Sequence, residues 1–331
     1  MIFDCFSFYN ELDLLEIRLN VLKGVVDRFV IVEAAKTHRG EDKPLYFKEN
    51  ESRFAEFADK IIHVVIDRFD LPDGLDEAQK SWARENIQRN GILEGLVAAK
   101  DDDVILISDL DEIPRPEILK RERAWNGVTA LGQRFSNFYF NFVNFVRPEW
   151  LGTRVLPLRV LRSAAGKIPS SGNYALVDCV NNGMTPTRVR FTRPDHVIRN
   201  AGWHFSYLGG AEMALRKIRS VGVEYEQRYA YTEADVRRII DSGEDVMGCG
   251  GRYFAIPLDA SFPKYVLENV RRFSKFVLDK DEAYYIRTRG ARRRARVRGW
   301  VRRVVPLFLP RFVKPLLYKV YCGLVRDPIE M

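Results

Sequence analysis

Short apolar runs alternate with longer segments of mixed polarity along the first third of the chain. Four runs are predicted to be strands, at residues 2–6, 28–35, 60–67 and 103–112. Residues 12–25 and 77–99 place apolar residues at helical spacing and are predicted to be helices, with Asn10 as the N-cap of the first. Because the apolar runs do not alternate with polar residues, they are typical of parallel strands covered on both faces. The predicted fold class is α/β, a mostly parallel sheet flanked by helices.

The pattern changes after residue 135, where aromatic strands broken by glycine and proline turns continue to residue 197. This segment predicts an antiparallel addition to the sheet. Residues 211–219 and 232–241 return to helical spacing. No internal repeat or low-complexity linker interrupts residues 1–280, so we expect one domain over residues 1–285 and a basic amphipathic tail over residues 286–331.

Composition excludes several protein classes. The 331 residues are 46% hydrophobic and 30% charged, which is too apolar for a disordered chain and too mixed for a coiled coil. The apolar runs are shorter than the ~18 residues of a spanning helix, and the start lacks a basic signal-peptide region. The four cysteines lie far apart without a Cys-x-x-Cys pair, which favours a reducing cytosol.

The net charge of +8 is concentrated in the tail. Residues 287–326 contain 13 Arg or Lys and no acid, which leaves 53 − 13 = 40 basic against 45 acidic residues elsewhere. A mildly acidic body argues against a nucleic-acid-binding domain, where a basic face is expected.

The tail interleaves its basic residues with Trp300, Val304, Leu307, Phe308 and further apolar residues, a composition typical of an anchor on an anionic membrane surface. Each basic side chain near such a surface contributes about 1 kcal/mol. A solvated tail, or a tail that binds RNA or another acidic partner, remains an alternative. Prolines at 306, 310 and 315 predict two or three short helices instead of one.

Asp109 and Asp111 follow the buried run at residues 104–108. Side chains alternate along a strand, so both carboxylates are expected on one face at the carboxyl end of a parallel strand, where open α/β sheets bind ligands. Two carboxylates there suit Mg²⁺ or Mn²⁺, with phosphate oxygens completing the coordination. A polar strand end or a helix cap explains the same pair without a metal.

A set of segments, in order along residues 2 to about 220, resembles glycosyltransferase family 17: FDCFSFYNELDLLEIRLNVL, VDRFVIVEAAKTHRG, KPLYF, DKIIHVV, WARENIQRNGI, DDDVILISDLDEIP, and GWHFSYLGG with a following Lys217. The resemblance implies a GT-A fold, a nucleotide-sugar donor (UDP-GlcNAc in the family's N-acetylglucosaminyltransferases), a divalent metal, and inversion at the anomeric carbon.

The resemblance also implies roles for individual residues. Asp109 and Asp111 would hold the metal on the donor diphosphate, with Asp111 the stronger candidate. Glu33 would contact the nucleoside, although a strand-end cap is the alternative for this residue. The donor-side contacts in the helix WARENIQRNGI would be Arg84, Arg89 and Asn90.

Planar guanidinium groups suit phosphate oxygens, which favours donor roles for the arginines of this helix. Glu85 and Arg89, four residues apart, are also compatible with a surface ion pair.

His204 lies in the segment GWHFSYLGG and is one of only four histidines. It is predicted to bind the metal or donate to the diphosphate from the far side of the site. A core role for Trp203 and His204, joined by a satisfied hydrogen bond, is the alternative. Trp203 or Tyr207 could instead stack on the acceptor sugar.

An inverting transferase needs a carboxylate that takes the proton of the attacking hydroxyl. Glu212, after the Gly209–Gly210 pair, is the first candidate, and Asp195 and Glu224 are held in reserve. Each of these acids is also compatible with a helix cap or a surface charge.

Two features depart from the family pattern. The resemblance leads us to expect a histidine near residues 221–226, yet none follows His204. The Golgi enzymes of the family carry an amino-terminal anchor, whereas this chain starts with its first strand. We therefore expect a cytoplasmic enzyme at the inner face of a membrane that builds a surface glycan.

The sequence thus predicts a metal-dependent inverting glycosyltransferase acting on a glycan or lipid-linked acceptor. Two other functions stay open. One is a metal-dependent phosphoryl or nucleotidyl transferase that uses the same aspartates. The other is a nucleic-acid-binding protein that acts through the arginine-rich tail beside an inactive body.

Overall fold

The computed structural model describes residues 1–121, 125–163, 185–221, 230–246 and 250–308. Its strands are β1 Ile2–Phe8, β2 Arg28–Ala34, β3 Ile61–Ile66, β4 Val104–Asp109, β5 Glu112–Pro114, β6 Thr129–Asn137, β7 Phe142–Asn144, β8 Glu149–Pro157, β9 His196–Ser206 and β10 Tyr253–Ala255. Its α-helices are α1 Leu12–Leu22, α2 Tyr46–Glu49, α3 Glu77–Asn90, α4 Ile92–Gly95, α5 Pro116–Arg121, α6 Leu158–Ser163, α7 Pro186–Phe191, α8 Gly210–Val221, α9 Glu233–Ser242, α10 Lys264–Glu268, α11 Glu282–Arg287 and α12 Arg289–Phe308. Two 3₁₀ helices span Glu51–Lys60 and Ser274–Phe276.

The strands form one mixed sheet with the order β10-β7-β6-β8-β4-β1-β2-β3, and β9 pairs with β5 and β6. Strand β1 lies between β2 and β4 and is parallel to both, and β3 continues this parallel part. Strand β8 pairs antiparallel with β4 and β6 and so joins the two parts of the sheet. The predicted α/β class, with its parallel sheet and antiparallel addition, is confirmed.

Apolar residues cover both faces of the parallel part. Along β1, Phe6 and Phe8 pack into one core cluster with α1, while Phe3 and Cys5 pack into a second cluster on the opposite face. Each fully buried Phe side chain contributes about 1.5 to 3 kcal/mol to the stability of the fold. Two covered faces explain why the strands lack polar alternation.

Three element boundaries differ from the sequence prediction. Helix α1 has Glu11 at its N-cap position and no side-chain cap hydrogen bond, so Asn10 is not the cap. Helix α3 ends at Asn90, and a short helix follows Gly91. The predicted strand over 103–112 is interrupted after Asp109, and β5 starts at Glu112 because that residue pairs with β9 instead of continuing β4.

Helix α12 is continuous from Arg289 through Pro306 to Phe308, so the predicted break does not occur at this proline. A proline near the end of a helix removes only one intrahelical hydrogen bond, and the helix tolerates this loss. The prolines at 310 and 315 lie outside the described residues. No helix within the described ranges has the combination of length and apolarity needed to cross a bilayer.

Candidate active site

The turn between β4 and β5 carries both predicted metal-binding aspartates. Arg18 of α1 lies beneath it, fully buried, and its Nη1 donates to the carbonyl oxygens of Asp109, Leu110 and Glu112 at 3.0, 3.0 and 2.8 Å. These three bonds fix the backbone of the turn. Arg18 therefore positions the turn without reaching its surface.

Asp4 holds Arg18 in place. Its two carboxylate oxygens accept hydrogen bonds from Nε and Nη2 of Arg18 at 2.8 and 2.6 Å, and Nη2 also donates to Ser108 Oγ at 2.6 Å. Such a planar two-point pair is strong and directional. Neither residue is predicted from the sequence, although an aspartate within the apolar run of β1 is the available signal.

Asp109 faces two arginines. Its carboxylate oxygens lie 2.8 Å from Arg190 Nη2 and 3.2 Å from Arg89 Nη2, and 41% of the side chain is exposed. Burial opposes ionisation, but the charges of Arg190 and then Arg89 outweigh it and lower the pKa of Asp109 to about 2. Asp109 is therefore ionised and directed at protein cations.

Glu112 is the second anchor of Arg190. The guanidinium of Arg190 contacts both carboxylate oxygens, with Nη1–Oε2 at 2.7 Å, and Trp150 Nε1 donates to Glu112 Oε1 at 2.6 Å. Burial disfavours the charge of Arg190, but Asp109 and Glu112 raise its pKa well above the ordinary value. Neither Glu112 nor Arg190 was predicted, because their pairing joins positions far apart in sequence.

Asp111 forms a separate group with His204 and Lys217. Its Oδ2 accepts from Lys217 Nζ at 3.0 Å, and its Oδ1 lies 3.4 Å from His204 Nε2. Burial opposes ionisation of Asp111, but Lys217 and then His204 hold its pKa well below the ordinary range. Burial likewise opposes the charge of Lys217, whereas Asp111 and then Glu11, at 3.6 Å, raise the pKa of this ammonium.

The imidazole of His204 is fixed between aromatic rings. Its ring stacks on Phe135 with centroids 4.9 Å apart and a 7° interplanar angle, and Trp150 lies 5.1 Å away. Its Nδ1 is buried and has no hydrogen-bond partner among the residues described. The neighbouring Trp203 is a core residue whose Nε1 donates to Ser261 O at 2.9 Å, so the structure does not place it for stacking on an acceptor.

Asp111 and His204 fit a divalent ion as neighbouring ligands. Two ligand atoms each about 2.1 Å from one ion, at right angles, lie about 3 Å apart. The separation of 3.4 Å between Asp111 Oδ1 and His204 Nε2 is close to that value. Within the described ranges no group of three or more His, Cys, Asp or Glu suited to a metal occurs, and Asp109 points to arginines instead.

Glu33 lies away from this turn and is enclosed by protein. It is fully buried, accepts from the Phe47 backbone N–H at 3.0 Å, and lies 3.1 Å from His63 Nε2 and 3.7 Å from Lys43 Nζ. These partners occupy its carboxylate. The geometry therefore fits the structural alternative at a strand end better than a nucleoside contact.

The three predicted donor contacts of α3 separate in space. Arg84 Nη1 donates to the His38 carbonyl at 2.9 Å, in a loop after β2, and Asn90 Oδ1 accepts from Thr187 N at 3.1 Å at the start of α7. Only Arg89 reaches the β4–β5 turn, and its Nε and Nη1 are buried without partners in the part of the chain that the structure describes.

The structure does not bring Asp195 to the site. This residue precedes β9 and accepts from the Val128 backbone N–H at 2.8 Å. On the neighbouring strand β6, the partners of Asp195 and His204 are Val128 and Phe135, seven residues apart, which corresponds to about 23 Å at ~3.3 Å per residue. The other reserve base, Glu224, lies outside the described residues.

A cleft of about 520 Å³ opens beside Lys217. Glu212, in the first turn of α8, is exposed and lines this cleft, because Gly209 and Gly210 turn the chain there with φ of +113° and +75°. Its other lining residues include Tyr9, Glu11, Tyr207 and Arg216. The structure thus brings Glu212 and Tyr207 to the same cleft as Lys217.

Comparison with known proteins identifies the region that carries this turn. Residues 1–152 match the model of glycosyltransferase family 17. The resemblance seen in the sequence motifs is confirmed over this range, which includes Asp109, Asp111 and Arg18. The region that matches the family 17 model stops before β9 and α8, so His204, Glu212 and Lys217 lie beyond it.

Two curated proteins that are similar to part of this chain are named β-1,4-mannosyl-glycoprotein 4-β-N-acetylglucosaminyltransferase. The Rattus norvegicus protein is 31% identical over 148 residues, covering 42% of this chain and 27% of its own length. The Homo sapiens protein is 33% identical over 140 residues, covering 40% and 26%. The match therefore spans about a quarter of the length of these relatives.

A distant structural neighbour is the mannosyltransferase PcManGT from Pyrobaculum calidifontis, solved in complex with GDP-Man and Mn²⁺. It is 11% identical, with 90% of this chain and 83% of that chain covered and a TM-score of 0.34. A score of 0.34 is too low to transfer structural detail between the two chains.

Proposed function

We propose that this protein is an inverting, metal-dependent glycosyltransferase that moves a sugar from a nucleotide-sugar donor to a glycan or lipid-linked acceptor. The observation that carries the proposal is the β4–β5 turn of the family 17 region, where Asp111 lies between His204 and Lys217. The names of the two relatives support N-acetylglucosamine as the sugar, and hence UDP-GlcNAc as the donor.

Asp111 and His204 would hold the metal, Mn²⁺ or Mg²⁺, which when bound neutralises charge on the leaving diphosphate. Lys217 and Arg89 add fixed positive charge at the same edge of the sheet, where Arg89 also pairs with Glu85 at 2.7 Å. Arg190 is already held by Glu112 and Asp109, so it keeps Asp109 and the turn in one arrangement. Such preorganised cations stabilise a departing anion without rearranging.

Glu212 would act as the general base. The acceptor hydroxyl oxygen forms a bond to the anomeric carbon, the bond from that carbon to the diphosphate oxygen breaks, and Glu212 takes the hydroxyl proton. Its exposure in the cleft leaves its carboxylate open to an acceptor. The nucleoside diphosphate leaves with the electron pair of the broken bond.

The test is calorimetric binding of UDP-, GDP- and dTDP-sugars with and without Mn²⁺, together with hydrolysis of each donor. We expect UDP-GlcNAc to bind only with the metal, and Asp111→Asn to abolish this binding. Asp195→Asn is the matched control, because this aspartate lies at the far end of β9, and it is expected to bind as the parent does.

Donor binding that is indifferent to metal and to Asp111→Asn would overturn the metal assignment. Consumption of a nucleoside triphosphate, with no sugar nucleotide bound, would replace the proposal with a phosphoryl or nucleotidyl transferase.

A further inference from the structure

Helix α12 is docked on the body of the protein through one face. Ala295 is buried in a small cluster with Val143, Phe145 and Val146. A Cβ atom at Gly299 would lie 2.1 Å from the Val146 carbonyl oxygen, so only glycine permits this close approach. The position and rotation of the helix are therefore fixed by the side chain of Ala295 and by the close backbone approach at Gly299, four residues apart on one face.

The opposite face of α12 is exposed. Val297 and Trp300 are 53% and 58% exposed, and as neighbours three residues apart they form one apolar surface. Arg293 and Arg294 are exposed one turn earlier on the same side. This group of four residues is called the α12 outer face below.

The charged residues of the segment that contains the α12 outer face all have one sign. No acidic residue occurs in residues 287–326, which contain 13 basic residues. The sequence beyond Trp300 continues with Val301, Val304 and Val305 between further arginines. A surface with exposed apolar side chains inside a field of positive charge complements an anionic, partly apolar partner.

We propose that the α12 outer face binds the surface of an anionic phospholipid bilayer. Tryptophan partitions to the boundary between headgroups and acyl chains, and the arginines lie where lipid phosphates are. RNA would also attract the arginines, but the exposed apolar side chain of Val297 beside them would gain no favourable contact with RNA. The docked face of the helix then orients the body on the membrane, as expected for a peripheral protein. This inference does not depend on the proposed function.

The test is co-sedimentation of the full chain with phosphatidylcholine vesicles and with phosphatidylcholine vesicles that contain phosphatidylglycerol. We expect binding to the anionic vesicles alone. Arg293→Gln with Arg294→Gln should weaken this binding about 30-fold, since each basic residue contributes roughly fivefold. Val297→Ala with Trp300→Ala should weaken it at least as much, and Trp300→Phe should remove a vesicle-induced blue shift of the tryptophan emission.

The matched control is Arg237→Gln with Arg238→Gln on α9, which changes the net charge equally at side chains 69% and 78% exposed. Val97→Ala, at an 81% exposed valine, is the apolar control. Both should leave vesicle binding at the parent level, and equal melting temperatures show that all variants are folded. Equal loss in the arginine controls, or equal binding to neutral vesicles, would overturn the proposal. If the variants of the α12 outer face lost binding to RNA but kept the parent's binding to vesicles, the proposal would be replaced by an RNA-binding surface.

Discussion

Arg18 contributes to the candidate site from inside the protein. It joins β1, α1 and the β4–β5 turn through hydrogen bonds to Asp4 and to three carbonyl oxygens. A charge buried this completely is tolerated because the partners satisfy it, and removal of one partner from such a pair costs about 3 to 5 kcal/mol. Arg18 is a positioning residue, since none of its contacts reaches the cleft.

Arg18→Lys tests this role. Lysine keeps the charge but cannot donate in the planar geometry of a guanidinium, so the carbonyls of the turn lose hydrogen bonds. We expect a lower melting temperature and, in donor titrations, a weaker affinity for Mn²⁺. Arg159→Lys, in the exposed pair with Asp102, is the control and should keep the parent metal affinity. A lower melting temperature with unchanged metal affinity would leave Arg18 a purely structural role.

Helix α8 presents two functional candidates to the cleft. Glu212 lies in its first turn, and Lys217 lies further along the helix and contacts Asp111. An acidic side chain at a helix N-terminus is also stabilised by the helix dipole, so a change there affects stability as well as chemistry.

Glu212→Gln separates these effects. Loss of a general base lowers kcat by about 10²- to 10⁴-fold, while donor KM should remain within about twofold of the parent. Glu233→Gln is the control, because Glu233 occupies the first turn of α9 and its loss removes a similar dipole interaction. A kcat for Glu212→Gln equal to that of Glu233→Gln would remove Glu212 from the mechanism.

The elements that sequence predicted well are those with unbroken apolar patterns, such as β1, β2 and α1. Short-range pattern also located Asp109 and Asp111 at a strand end. The pattern did not predict that Arg190 of α7 contacts Asp109 and Glu112. Helix α7 is held against α3 by the hydrogen bond from Thr187 N to Asn90 Oδ1. Pairings between charges about 80 residues apart leave no periodic signal, so they require the folded chain.

At the scale of the whole molecule, the charges of the site link stability to pH. The folded-state pKa of Asp109 is about 2, below the ordinary 3.8. A depressed pKa means that the carboxylate stabilises the folded protein above pH 3.8, and that this contribution is lost as pH falls towards 2. Solvent screening keeps the effect modest, since 41% of the side chain is exposed.

Urea unfolding of the parent and of Asp109→Asn between pH 7 and pH 2 measures this contribution. We expect the parent to be more stable at neutral pH, with the difference in free energy of unfolding shrinking as the pH falls from 3.8 to about 2. Asp195→Asn serves as the comparison for loss of a carboxylate elsewhere. A difference that stays constant over this pH range would contradict the assigned pKa.

The central position of β1 has a consequence for synthesis on the ribosome. Its edge towards β2 can pair once Ala34 has emerged, but its other edge must wait 75 residues more, until Asp109 completes β4. At translation rates of 5–20 residues per second this interval lasts about 4 to 15 s. During it the nascent chain exposes the apolar edge of β1, and Arg18, whose partner Asp4 has already emerged, lacks the carbonyl oxygens of the β4–β5 turn that it binds in the folded protein. This is therefore the stage at which a chaperone would protect the protein from aggregation.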